Sequence, residues 1–334
     1  MALPTMMEDL LKRDAYPYPT DEIKLIQTHI SFVILTDIFV YKIKKPVNFG
    51  FLDFTTPEKR RFYCRQELDL NRRLSPDIYL EVLEIRKKEG RYRYDMDGEV
   101  TDYAVKMRRL PDDRMMINLV KAGRIDGILL DNIAKFIADF HLRAETDDTI
   151  SSYGSPALLR KNISENFEQT KKYIGITISG SDYHVIKDFS ADFISNNEKL
   201  LSKRAAEGKI RDCHGDMHMD HVYITDKVHI IDCIEFNHRF RYSDVTADIA
   251  FLAMDLDFYG EKTLSRSLIN SYIKYSGDTE IKMLICFYKC YLAYVRGKVN
   301  SFELDDPNLS PEMMEDVKKR SEKYFKLALE YARS

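Results

Sequence analysis

Between Cys213 and Asn237 the chain reads CHGDMHMDHVYITDKVHIIDCIEFN, a stretch dense in histidine and aspartate. Carboxylates and imidazoles at this density suit two chemistries, metal-assisted hydrolysis and phosphoryl transfer. For hydrolysis, His218, Asp220 and His221 form H-x-D-H, but such a site needs further histidines downstream, and only His229 and His238 follow. Phosphoryl transfer asks for less: a carboxylate for the acceptor hydroxyl and others for the metal ion that bridges the phosphates. The spacing suits this second demand. VYIT and VHII flank Asp226-Lys227 and read as a hairpin with a two-residue turn. Pairing outward from that turn sets Thr225 opposite Val228, Tyr223 opposite Ile230 and His221 opposite Asp232. Asp216, His221 and Asp232 are then expected to converge.

These residues need elements to hold them. Residues 23–45, IKLIQTHISFVILTDIFVYKIKK, are rich in β-branched and aromatic types and predict two or three antiparallel strands, broken at Thr36-Asp37. A helix follows, with Thr56 as N-cap, Pro57 at its first position and Glu58 in its first turn. Tyr63, Leu70 and Leu74 share the face of that helix meant for burial, and Glu67 lies among them. A buried carboxylate requires a cation, and strand FVYKIKK offers Lys42 or Lys44, which alternation places on one face opposite Tyr41 and Ile43. A solvated Glu67 at the stripe's edge is the alternative. Two more strands are expected, YLEVLEIRKKEGRYRYD and VTDYAVKMRRLP. Beyond Asp112 the pattern turns helical: over RIDGILLDNIAKFIADFHLRAE, from about Leu158 to Tyr173 and Ser181 to Ala206, then from about Asp244, Thr263, Ile281 and Pro311. The expected organisation is a strand-rich lobe over 1–108 and a helical lobe over 109–334, joined near 108–111.

Composition narrows the classes. With 51 Lys+Arg against 54 Asp+Glu the net charge is −3, so no global basic field draws nucleic acid or anionic membrane. No segment reaches the roughly 18 apolar residues of a membrane span, and MALPTMMEDLLKRDAYPYP lacks the pattern of an export signal. Five cysteines, odd in number and irregularly spaced, suit reduced thiols. A cytoplasmic location is the expectation.

HGDMHMDHVYI followed by IIDCIEFN resembles the catalytic and metal-binding segments of the aminoglycoside-phosphotransferase-like kinases, whose pattern is H-G-D-x-x-x-x-N and then I-D-x-E. HISFVILTDIFVYKIKKPVNFGFLDFTTPEKR, YAVKMRRLP and IDCIEFNHRFRYSDVTADIAFLAMDLDF are similar to a prokaryotic phosphotransferase group with that fold, so the resemblance spans roughly residues 20 to 260. It implies an α+β, protein-kinase-like two-lobed fold: a small antiparallel-sheet N-lobe with one key helix and a larger, mainly helical C-lobe. It implies ATP and Mg²⁺, or Mn²⁺, as cofactors and a small hydroxylated molecule as acceptor, with neither nucleic acid nor membrane as partner. Carried over, Asp216 is the catalytic base, Asp232 the principal metal ligand and Glu235 an auxiliary acid near the metal. Lys42 contacts the nucleotide phosphates with Glu67 as its helix partner, and Lys44 is the fallback. Met107 to Pro111, including Arg109, is the hinge whose backbone binds adenine. No G-x-G-x-x-G precedes the lysine strand; Thr28 to Ser31, THIS, would cover the phosphates with amides and hydroxyls. His221 stands where the family carries a metal-binding asparagine: as a metal ligand it predicts a preference for Mn²⁺, and turned outward it leaves the ion to Asp232 and Glu235 with water. Two alternatives remain: a nucleotide-binding pseudokinase or regulator and, remotely, a metallo-β-lactamase-like hydrolase.

Other residues read as structural. His214 is expected to hold the loop backbone, His218 and Asp220 to lie on a surface loop, and Asp244 and Asp248 to cap and brace the next helix. Cys213, Cys233, Cys286 and Cys290 read as packing. Arg239 and Arg241 read as a solvated loop, with an anionic acceptor site as the alternative.

Overall fold

In the computed structural model, which describes residues 3–94 and 96–334, the run over residues 23–45 forms three strands. Met1, Ala2 and Asp95 lie outside the described residues; the first two begin the N-terminal stretch read above for export, and Asp95 ends one of the expected strands. The strands are β1 (Lys24–Gln27), β2 (Ser31–Leu35), β3 (Phe39–Lys44), β4 (Tyr79–Lys88), β5 (Arg91–Arg93), β6 (Glu99–Arg108), β7 (Ile210–Asp212), β8 (Val222–Ile224), β9 (Val228–Ile230) and β10 (Tyr242–Asp244). The helices are α1 (Thr5–Leu10), α2 (Pro57–Arg72), α3 (Met116–Lys121), α4 (Gly127–Arg143), α5 (Asp148–Ser152), α6 (Pro156–Thr170), α7 (Gly180–Asn196), α8 (Glu198–Ala206), α9 (His238–Arg241), α10 (Val245–Phe258), α11 (Lys262–Ser276), α12 (Ile281–Phe302) and α13 (Pro311–Ala332). This is the α+β, kinase-like combination of a curled antiparallel sheet and a mainly helical region. Among the described residues everything after β10 is helical or loop, which removes the strand-rich continuation that the metallo-β-lactamase-like alternative needs.

The chain divides into two units, one running from the N-terminus to Asn118 and including His221–His238, the other holding Leu119–Asp220 and Arg239–Ser334. In the first, an antiparallel sheet has the order β1-β2-β3-β6-β4-β5. Alternation sorts its faces. Tyr41 and Ile43 of β3 join Phe32, Ile34, Ile85 and Ala104 in a core that takes in Met7 and Leu10. The opposite face, with Val105 and Met107, packs on Cys64 of α2. As the start signals predict, Thr56 caps α2, its hydroxyl accepting from the Lys59 amide at 3.3 Å.

The division falls ten residues beyond the expected junction, and the hairpin β8–β9 groups with the sheet. After β6 the amides of Arg108 and Arg109 donate to Ile78 O and Ile38 O, at 2.8 and 2.9 Å, and keep the chain on the sheet. Met115 then bridges to Tyr223. The hairpin is one residue out of its expected register: Val222 faces Ile230, Tyr223 faces His229 and Ile224 faces Val228. Its turn holds three residues, the Thr225 amide donating to Lys227 O at 3.0 Å, so the two-residue reading fails and every facing pair moves by one.

In the second unit, α10 is buried almost all round and is the axis of a core shared with α6, α7, α12 and α13. The helix expected from Ser181 to Ala206 is two, α7 and α8, separated at Asn197. Asp244 caps α10 through the Thr246 amide at 2.8 Å and pairs with buried Arg204.

Candidate functional site

The first unit gathers both lysines and both expected metal carboxylates, Asp232 and Glu235. Glu67 is fully buried, and both candidate lysines reach it: Lys42 Nζ lies 2.8 Å from Oε1 as an ion pair, and Lys44 Nζ donates to Oε2 at 2.7 Å. Burial opposes the charge on Glu67, but the two ammonium groups outweigh it and hold the carboxyl below its ordinary range. The lysines then diverge. Lys42 also contacts Asp232 Oδ1 at 2.5 Å, and Lys44, 1% exposed, donates to Glu235 Oε1. Burial disfavours the charge on Lys42, yet Asp232 and Glu67 raise its pKa well above the usual lysine value. Burial pushes the Glu235 carboxyl up, with Lys44 pulling against it. Glu235 thus sits on the lysine side of the cluster, while the Asp232 side chain is 40% exposed.

Asp232 has the backbone of a special position, φ +64, in the left-handed region that costs most L-residues about 1–3 kcal/mol and that aspartate tolerates better than most. Its amide donates to the Tyr79 hydroxyl at 3.0 Å. His221 faces Ile231 in the ladder, accepting its amide at 3.0 Å, yet Nε2 lies 3.5 Å from Asp232 Oδ2. The left-handed turn at Asp232 thus accompanies the approach that the expected register would have given. A carboxylate and an imidazole at this separation form a donor pair that accepts Mn²⁺ readily and Mg²⁺ less so.

Residues that the sequence reading passed over hold this strand in place. Ser75 Oγ donates to Ile230 O and accepts from the Ile230 amide, at 2.8 and 3.0 Å, and Asn71 Oδ1 accepts from the Cys233 amide at 2.9 Å. Asn71 also donates to Glu67 O at 2.8 Å. The signal was available in its position four residues after Glu67, on the same buried face. Ser31 pairs with Lys44 across β2–β3, and its buried hydroxyl finds no hydrogen-bond partner among the described residues. The Thr28 hydroxyl accepts from the Ile30 and Ser31 amides, which turns those donors inward. Met107 is core, paired with Val40 and Tyr79. Arg109 binds Glu22 and Thr36 O through its side chain, and its amide is committed to Ile38 O, so that amide is not a donor for adenine.

The second unit holds the H-G-D loop. Buried Asp248 accepts from the amides of His214 and Gly215, at 2.7 and 2.9 Å, and from His141 Nε2 at 3.1 Å. Burial opposes its charge, but these donors keep its pKa below the ordinary carboxylate value. His214 is the structural imidazole expected: Nδ1 accepts from the Asp216 amide at 3.2 Å. Gly215 has φ +85, and a Cβ there would lie 2.6 Å from Phe240 O, so glycine alone fits the turn that presents Asp216. Asp248 thus braces the loop as well as its helix. Two expectations fail: His218 is buried at 6% exposure and Arg241 at 2%, while Arg239 stays 30% exposed. Arg241 is buried against Asp212 at 2.5 Å, and Arg239 binds Glu165 at 2.6 Å and Asn162 at 2.5 Å. All five cysteines are free thiols, and burial raises the pKa of Cys213 well above the usual thiol value.

No family profile matches the chain. It is 35% identical over 289 residues to an uncharacterized protein of Mycobacterium tuberculosis (strain H37Rv) and to one of Mycobacterium bovis, covering 86% of this chain. The chain spans 56% of the length of those relatives. Among solved structures it is similar to a choline/ethanolamine kinase family protein of Mesorhizobium loti (TM-score 0.53, 13% identity, 98% of this chain and 97% of that one). A Ralstonia eutropha JMP134 protein provisionally named an aminoglycoside phosphotransferase gives TM-score 0.55 at 14% identity, over 98% and 96%. Amicoumacin kinase in complex with AMP-PNP, Ca²⁺ and Ami gives 0.56 at 11%, over 96% and 92%. Among the described residues no helix is long and apolar enough to cross a membrane.

Proposed function

From a chain that has the aminoglycoside-phosphotransferase-like, protein-kinase-like fold, we propose an ATP-dependent phosphotransferase that moves the γ-phosphoryl group to a hydroxyl of a small molecule. The observation that carries it is the Lys42 ammonium shared between Glu67 and Asp232, a cation fixed by a helix carboxylate beside a carboxylate that remains partly exposed. Such a group is pre-set to meet nucleotide phosphates. Lys42 holds the phosphates, Glu67 orients Lys42, and Lys44 with Glu235 keeps Glu67 in place. Asp216 accepts the acceptor's proton as the new O–P bond forms and the bond to the β-phosphate bridging oxygen breaks, with ADP leaving. Asp232 and His221 would hold a divalent ion, which supplies charge neutralisation for the phosphates. On this reading the sheet unit serves the nucleotide and the helical unit the acceptor. Five free thiols fit a reducing compartment, and we place the protein in the cytoplasm.

His221 in place of asparagine favours one second reading, a nucleotide-binding regulator with little turnover. An ATP-consumption screen over a hydroxylated metabolite library, run with Mg²⁺ and Mn²⁺ in parallel, separates the two when Asp216→Asn is the control. Acceptor-dependent ADP formation lost in the variant supports the phosphotransferase. Nucleotide binding with no consumption under either ion would sink it.

A further inference from the structure

Beside Asp216 stands a buried imidazole to which the phosphotransferase reading gives no work. His218 packs its ring on Phe251, with centroids 5.7 Å apart. Its Nε2 lies 3.6 Å from Asp216 Oδ2, and its Nδ1 lies 3.5 Å from Asp220 Oδ2. At these separations the contacts are ionic rather than directional hydrogen bonds. An imidazole can meet a carboxylate favourably at both nitrogens only when both carry a proton, because the neutral ring turns a lone pair towards one of them. Within the same unit Arg296 from α12 also faces it and opposes a positive ring, and Asp255 from α10 favours one. Burial also opposes it, but Asp216 and Asp220 prevail and the ring is pushed up to about 9. The loop that carries the ring is itself anchored, since the Met219 amide donates to Asp255 Oδ2 at 2.9 Å.

We propose that His218 is a positioning residue for phosphoryl transfer: held between Asp220 and Asp216, it fixes the plane of the Asp216 carboxylate towards the acceptor hydroxyl. Half-exposed Asp220 anchors the outer nitrogen, and Phe251 sets the ring's tilt. The inference rests on the reading of Asp216 as the base. It differs from a mere loop pin in one respect: a charged neighbour alters how Asp216 titrates, and a pin does not.

The test uses the full chain, with phosphate release from ATP in Mn²⁺ as the probe and water as acceptor, on wild type, His218→Asn, His218→Gln and Asp216→Asn. In the His218 variants kcat should fall roughly ten- to hundredfold with KM for ATP unchanged within about twofold. The acidic limb of the kcat profile should move to higher pH, because Asp216 has lost an adjacent positive charge. Independently of turnover, ¹⁵N resonances of the His218 ring should show both nitrogens protonated near neutral pH, and Asp216→Asn should lower the pH at which the proton leaves. A neutral ring near neutral pH overturns the proposal, as does His218→Asn with unchanged kcat and acidic limb while Asp216→Asn is inactive. An active Asp216→Asn instead removes the base assignment itself. If wild type releases no phosphate, the ring measurement decides.

Discussion

Replacing Lys44 by alanine tests whether the buried charge cluster is built as described. Lys44 is 1% exposed between Glu67 and Glu235, both of them buried. Its removal leaves Glu67 with Lys42 but takes from Glu235 the ammonium it contacts, and breaking a buried pair by deleting one partner costs about 3–5 kcal/mol. Because Lys42 still compensates Glu67, the lower part of that span is expected, about 3 kcal/mol. The pH dependence has a definite sign. The Glu235 carboxyl is raised in the folded state, so its contribution is present below the unfolded value and lost as pH rises through the folded one. Losing Lys44 raises it further, so Lys44→Ala should be less impaired in mild acid than in mild base. Urea denaturation followed by circular dichroism measures the loss, and hydrogen exchange of the β3 and α2 amides localises it. Lys44→Met with Glu235→Gln should lose less than the two single changes added, by about 1–3 kcal/mol. A Lys44→Ala loss under about 1 kcal/mol, equal in acid and base, would refute the reasoning.

Lys42→Ala should raise KM for ATP and lower kcat in steady-state assays while β3 keeps its exchange protection, since Lys44 still neutralises Glu67. Asp216→Asn should lower kcat by roughly a hundredfold or more with AMP-PNP affinity unchanged by calorimetry. His221→Asn should reduce the Mn²⁺/Mg²⁺ activity ratio; an unchanged ratio removes His221 from the metal. Asp248→Ala strips three donors of a buried acceptor and should cost about 3 kcal/mol or more in urea denaturation, whereas Asp248→Asn, which keeps one acceptor oxygen, should cost less.

The elements and the lysine–glutamate partnership were legible because each has a local cause. Thr56-Pro57-Glu58 announces α2, alternation places Lys42 and Lys44 on one face, and Glu67 on a buried stripe demands a cation. Alternation alone does not rank the two lysines, which only the family resemblance ordered, because which ammonium reaches Asp232 and which is sealed in with Glu235 depends on how residues 228–235 pack. The hairpin register failed for a similar reason: the observed three-residue turn is closed by the Thr225 amide and hydroxyl on Lys227 O, and its one extra residue turns the faces of one strand over relative to the other. His218 was misread because a histidine flanked by aspartates looks solvated, and only the fold reveals Phe251 against it.

The unit built around the sheet is discontinuous in sequence, and this bears on its birth at the ribosome. When Asn118 emerges, α2 already carries Asn71 and the turn after it Ser75, but the strand they bind and Glu235 belong to His221–His238. Lys44 has only half its carboxylates, and the sheet must wait, incompletely closed, through the synthesis of residues 119–220. A nascent chain arrested before His221 would hold an unfinished sheet unit with polar groups of α2 and of the turn after it still seeking partners. Such a fragment should depend on chaperones, and a peptide spanning residues 221–238 supplied in trans should shorten that dependence.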